Sequence, residues 1–104
     1  MHRKEREYAL LAALGAGEED KTNSRELVAL RRVLARAVRE RLTGRQRDCI
    51  VLYYGEGMKM KEIAARLGIS PAAVTRHIQR GLKQLRSTLQ VAAFALRNFD
   101  PGAS

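Results

Sequence analysis

The side chains best equipped for chemistry in this sequence are cations. Between Ile63 and Phe99 there is no acidic residue, while Arg66, Arg76, Arg80, Lys83, Arg86 and Arg97 all lie inside the stretch. An uninterrupted run of positive charge suits the binding of phosphate, because no neighbouring carboxylate competes for the cations. Arg76 is also the residue type that grips a guanine edge with two parallel hydrogen bonds. The materials of catalysis are missing. There is no paired-carboxylate site, no metal-ligand cluster, no Gly-rich phosphate loop ahead of a lysine and no Ser/His/Asp set, so neither an enzyme nor a cofactor is expected.

The whole-chain charge agrees. The formal net charge is +9 over 104 residues, far more than solubility needs, and it calls for an anionic partner. The excess is uneven: residues 1–42 hold 10 basic and 7 acidic residues, and residues 43–104 hold 10 and 4. Hydrophobic residues at 45% are enough for a core, but aromatics are only 5% and Trp is absent. Such a core is built from Leu, Ile, Val and Ala, which suits packed helices. The single Cys49 excludes an internal disulfide and a cysteine-based zinc site. No stretch approaches 18 apolar residues, so no membrane span is expected. The start of the chain, charged with both signs and without an apolar signal segment, points to a cytoplasmic, nucleoid-associated protein.

Positioning these side chains falls to four or five helices and no strand. Apolar Tyr8, Leu11 and Leu14 mark a first helix from about Arg3 to Leu14, and a polar linker follows it to Thr22. Asn23, with Glu26 as its reciprocal partner, opens a long amphipathic helix carrying Leu27, Leu30, Leu34, Val38 and Leu42 at steps of three and four. Thr43 and Gln46 form a second capping box, and its helix runs through Cys49, Ile50, Leu52 and Tyr53 to Gly55 and Gly57. A short helix spans about Met60 to Leu67 and stops at Gly68. Ser70 then caps a helix that begins at Pro71, bears Val74, Ile78, Leu82 and Leu85 on one stripe, and extends to about Arg97. The divisions are residues 1–22 for the first helix and linker, 23–42 for the amphipathic helix, 43–88 for a helix-turn-helix unit, and 89–104 for an apolar extension and tail. In the helix-turn-helix, Ala64 is small enough to let the two helices approach. Gly68 suits a left-handed turn, and Ile63, Leu67, Ile69, Val74 and Ile78 fill the wedge.

With these motifs in place the sequence resembles a known family. Leu42-Thr43-Gly44-Arg45-Gln46-Arg47, Leu52-Tyr53-Tyr54, Lys61-Glu62-Ile63-Ala64, Leu67-Gly68-Ile69-Ser70 and Leu82-Lys83-Gln84-Leu85-Arg86 are similar to the region-four domain of bacterial sigma factors. The resemblance covers about Leu42 to Leu89. It implies an all-α fold that binds the −35 promoter element in the major groove and docks on the flap of RNA polymerase. It also implies that Arg45 touches phosphate and that Ala72, Ala73, Thr75 and Arg76 face bases. There are departures. Lys59 stands where the family usually has Ser or Thr, and Pro71, Ala72 and Ala73 stand where its housekeeping members often carry charge. Residues 1–41 are too few for the region that binds the −10 element. The expected function is therefore a sequence-specific transcription regulator, whether stand-alone, a phage-type activator or part of a split sigma factor. The alternative is a module that binds RNA polymerase or another protein and has weak DNA affinity.

Physical reasoning assigns the individual roles. The first turns of a recognition helix enter the major groove of double-stranded DNA. Ala72 and Ala73 can approach thymine methyl groups, Thr75 can use its methyl or hydroxyl, and Arg76 can hold guanine. Gln79, one turn on, reaches peripheral bases. Arg45, Arg47, Lys59, Lys61, Ser70, Arg80 and Lys83 are the phosphate contacts. Cys49, His77, Met58 and Met60 read as packing, and so do Tyr53 and Tyr54, with base stacking as the pair's alternative. Leu89, Val91, Phe94, Leu96 and Phe99 form an apolar extension. It is expected to make a homodimer interface, although the N-terminal helix or a partner such as RNA polymerase could cover it instead.

Overall fold

The computed structural model of the chain describes residues 9–14 and 24–98. The start of the expected first helix with Tyr8, the whole of the expected linker, Asn23, Phe99 and the tail lie outside them. Every regular element among the described residues is helical: α1 (residues 9–13), α2 (Ser24–Glu40), α3 (Gly44–Ile50), a π-helical turn (Val51–Gly55), α4 (Met60–Leu67) and α5 (Pro71–Asn98).

The helix α2 forms on its apolar stripe. Leu30, Leu34 and Ala37 are buried, whereas Leu27 and Val38 from the expected set are only half-buried. Arg25, Arg32, Arg36 and Arg39 remain on the solvent side. The C-terminus of α2 is closed by a residue from the next helix. Arg47 donates from Nε to the Val38 carbonyl at 3.1 Å, and from Nη2 to the Arg39 and Leu42 carbonyls at 2.8 and 3.4 Å. The last carbonyls of a helix have no partners within it, and a planar fork of donors can serve several at once.

At the start of α3 the capping box forms as expected. The Gln46 N–H donates to Thr43 Oγ1, and the Thr43 N–H donates to Gln46 Oε1, both at 3.2 Å. Cys49 and Ile50 are buried from this helix. The expected single α-helix then gives way to the wider turn Val51–Gly55, closed by the Glu56 N–H donating to the Val51 carbonyl at 3.0 Å. In it Leu52, Tyr53 and Tyr54 all pack partly against the core. The two tyrosine rings meet edge to face, with centroids 4.9 Å apart and planes at 84°. Gly57, at φ 70°, turns the chain toward α4.

The spine of the fold is α5, about 42 Å long at 1.5 Å per residue. It buries Val74, Ile78, Gly81, Leu85 and Leu89, spaced by four, three, four and four residues. It packs on α2, α3 and α4, meeting α3 at Gly81 and reaching α2 at Arg97. An ion pair of 3.6 Å between Glu26 and Arg97 ties the start of α2 to the end of α5, so these two helices run antiparallel. Leu10, Leu11 and Leu14 of the N-terminal segment join the same core. Gly81 is where α5 comes closest to α3: a Cβ there would collide with the Cδ1 of buried Ile50 and touch Gln46 Cβ at 3.5 Å.

The apolar extension divides into two faces. At 100° per residue, Leu85, Leu89, Ala92 and Leu96 share one stripe, and Val91 and Phe94 fall on the opposite side. Leu89 is 5% exposed and Ala92 and Ala93 pack on the core, so this part of the stripe is covered within the monomer. That corrects the expectation for Leu89, which belongs to the core and not to an interface. Leu96, at the end of the same stripe, is 44% exposed and lies outside the core. Val91 and Phe94 stay 70% and 69% exposed.

Candidate nucleic-acid interface

The candidate surface is built on α4, its turn and the first half of α5. Lys59 precedes α4 in an extended conformation. An ammonium has no acceptor to offer the helix, so only half of a capping box forms: Glu62 Oε1 accepts from the Lys59 N–H at 3.1 Å. Ile63 and Ala64 are buried, and Lys61 and Arg66 face solvent. Gly68 takes the left-handed conformation expected of it (φ 69°, ψ 34°), and the N–H groups of Gly68 and Ile69 both donate to the Ala64 carbonyl. Ile63, Val74 and Ile78 fill the wedge between α4 and α5, while Leu67 and Ile69 are half-buried at its edge.

The first turn of α5 is held by Ser70. Its hydroxyl oxygen accepts from the Ala73 N–H and its carbonyl from the Val74 N–H, each at 3.1 Å. Pro71 has no N–H, so Ala72 carries the remaining donor of that turn. The Ser70 O–H proton is left over for an outside acceptor. Thr75 is half-buried, and its hydroxyl donates to the Pro71 carbonyl at 3.2 Å. Its methyl and oxygen lone pairs are then what it can offer a base.

The outer side of α5, opposite Val74, Ile78, Gly81 and Leu85, presents Ala72, Arg76, Gln79, Arg80 and Lys83, all exposed. Ala73 is half-buried beside them. Arg45, Lys59 and Lys61 are exposed on the neighbouring elements. Arg47 stands apart from the other expected phosphate contacts, because the Val38 and Arg39 carbonyls of α2 and the Leu42 carbonyl just beyond it already engage its guanidinium. The sequence signal that placed it, a basic residue near a helix start, is equally the signature of a residue closing the preceding helix. Gly81 was not singled out, though a glycine inside an amphipathic helix often marks a close approach.

Cys49 and Tyr54 complete the surroundings. Burial pushes the Cys49 thiol above its ordinary value; Asp48 adds to the rise and Arg45 opposes it. The thiol is therefore neutral and inert, as a small core hydrophobe is. Burial and the neighbouring Tyr53 likewise raise Tyr54. His77 is half-buried, as expected of a packing residue. The described residues contain no group of three or more His, Cys, Asp or Glu that could hold a metal ion, and no helix long and apolar enough to cross a membrane.

A short helix crossing a longer one through a left-handed glycine turn, with cations along the outer side of the longer helix, defines a helix-turn-helix domain. The sequence profile of the family described as Sigma-70, region 4 matches residues 32–85, just over half of the chain. The chain belongs to that family. No curated protein and no solved structure matches it.

Proposed function

We propose that this chain is a sequence-specific transcription regulator that reads double-stranded DNA with the first turns of α5. The observation that carries the reading is the outer side of that helix. Ala72, Arg76, Gln79, Arg80 and Lys83 are exposed together, with no acidic residue in the helix, while the opposite side is fused to α3 and α4. A rigidly backed, cationic helix face is what entry into a major groove requires. Ala72, Ala73, Thr75, Arg76 and Gln79 meet base edges. Arg45, Lys59, Lys61, Ser70, Arg80 and Lys83 hold phosphates. The helix-turn-helix unit, residues 43–88, supplies all of these contacts, and the work is done in the cytoplasm on nucleoid DNA.

One observation favours a second reading. Pro71, Ala72 and Ala73 give the first turn no hydrogen-bonding side chain, which suits a protein partner, RNA polymerase in particular, as well as a base edge.

Titration against selected and random duplexes over a range of salt tests the proposal. Affinity for both should fall steeply with salt. Arg76→Ala should cost about 1–3 kcal/mol on the selected duplex and relax its preference at one base pair, while Lys83→Ala weakens both duplexes alike and lowers the salt slope by about 1. Equal losses on both duplexes for Arg76→Ala would remove it from base readout. No salt-dependent binding, together with co-purification of RNA polymerase, would select the second reading.

A further inference from the structure

We infer that Val91 and Phe94 form a weak, self-complementary contact between two copies of this chain, which acts when DNA holds the copies side by side. The inference rests on the DNA-binding reading for its setting, but not for the contact itself.

The argument starts from the register of α5. Phe94 follows Arg76 by eighteen residues, which is five turns, so it lies directly along the helix from Arg76 and about 27 Å beyond it. Val91 follows Arg80 by eleven residues, close to three turns. The side of α5 that carries the cations therefore continues as an apolar face in the second half of the helix. Both residues are largely exposed, at 70% and 69%, on the side away from α2. Phosphates give such side chains nothing, so this face is made for protein.

Charge selects the occupant. The chain carries +9, and its cations line α2, the helix-turn-helix and α5 as far as Arg86, resuming in α5 only at Arg97, which is paired with Glu26. From Ser87 to Leu96 there is no charged residue. Two copies of so cationic a chain repel wherever their basic surfaces meet, and this uncharged face is where they approach at least cost. An acidic partner would instead be drawn to the arginines. A two-fold axis between antiparallel α5 helices sets Val91 and Phe94 against the same residues of the second copy, as a closed symmetric pair requires.

Area fixes the strength. The two side chains offer roughly 300 Å² of apolar surface per copy, well short of the roughly 800 Å² per partner in a standard stable interface. The free chain is thus largely monomeric, and the contact becomes effective at the high local concentration that adjacent sites create. With the patches paired, the two Arg76 side chains lie up to about 50 Å apart along the helices, and less if these cross at an angle.

Two measurements test this. Cys49 is fully buried and is the sole cysteine, so Val91→Cys introduces one accessible thiol. At high protein concentration and without DNA, it should form disulfide-linked dimers faster than Ala35→Cys, an exposed position on α2. Equal rates would overturn the contact. On a duplex carrying two selected half-sites, the wild type should bind at least about ten-fold tighter than on one half-site, and Phe94→Glu should lose that gain while keeping its single-site affinity and helicity. Unchanged cooperativity in Phe94→Glu would also overturn the contact and leave the face to a different protein. If no duplex is bound at all, the DNA reading fails, while the cross-linking comparison still decides the contact.

Discussion

Substitution of Gly81 offers a quantitative test of how α5 is seated. Two effects oppose one another in Gly81→Ala. In a helix interior, alanine is favoured over glycine by about 0.8–1.0 kcal/mol. Against that, the new Cβ collides with Ile50 Cδ1. Ile50 is only 1% exposed, so its side chain has little space into which to move. Overpacking of this kind costs about 1–3 kcal/mol, and the balance is a loss of about 0–2 kcal/mol. Ile50→Val removes the colliding methyl and, alone, should cost about 0.5–1.5 kcal/mol. In the double variant the alanine methyl fills the vacated space and the gain in propensity is kept, so its stability should return to within about 0.5 kcal/mol of wild type. Together the single losses would then exceed the double loss by about 0.5–3.5 kcal/mol, centred near 2. Urea denaturation of the four proteins measures this directly, and each kcal/mol corresponds to about 4–8 °C in Tm for a chain of this size. If the two substitutions add to within about 0.5 kcal/mol, as independent sites do, the close approach of α5 to α3 is wrong.

Other consequences can be checked in the same way. Arg47→Ala should destabilise by about 1–3 kcal/mol, since it strands the Val38 and Arg39 carbonyls at the helix end and the Leu42 carbonyl beyond it, and Arg47→Lys should recover only part of that. Wild-type thermal stability in Arg47→Ala would refute its capping role. Gly68→Ala should cost about 1–2 kcal/mol because of its left-handed backbone. Gly44→Ala is the control: nothing lies within 4 Å of its added Cβ, and it should be neutral or slightly stabilising. For Cys49, burial favours the neutral thiol in the folded state, so its contribution is complete below the ordinary value of 9.0 and is lost as pH rises through the higher folded value. Denaturation midpoints should fall more steeply above about pH 9 in wild type than in Cys49→Ala. Equal slopes would show that the thiol does not contribute.

The legible parts of the fold were those where a local pattern has a single physical solution. Thr43 with Gln46, Gly68, and Ser70 followed by Pro71 each fix a helix end through their own backbone bonds, so α3, α4 and the start of α5 could be read from short windows. The stripe from Val74 to Leu85 likewise requires a helix whatever surrounds it. The parts that escaped depend on partners distant in sequence. A π-helical turn and an α-helix have nearly the same composition, and only the core against which Leu52, Tyr53 and Tyr54 pack selects the wider form. Arg47 is a cation like Arg45 until Val38 and Arg39 are seen to end beside it. Leu89 and Val91 are both apolar and two positions apart, yet only the placement of α2 shows that one is core and the other surface.

The interleaving of two sets of residues along the first half of α5 has a consequence for how this chain can change. Val74, Ile78 and Gly81 anchor the helix, while Ala72, Arg76 and Gln79 touch none of its supporting core. If α5 reads bases as proposed, a new target preference can arise through substitutions in the second set without disturbing the packing held by the first. The same separation makes the helix a ready scaffold for randomised libraries, in which most members would fold and selection would act on recognition alone.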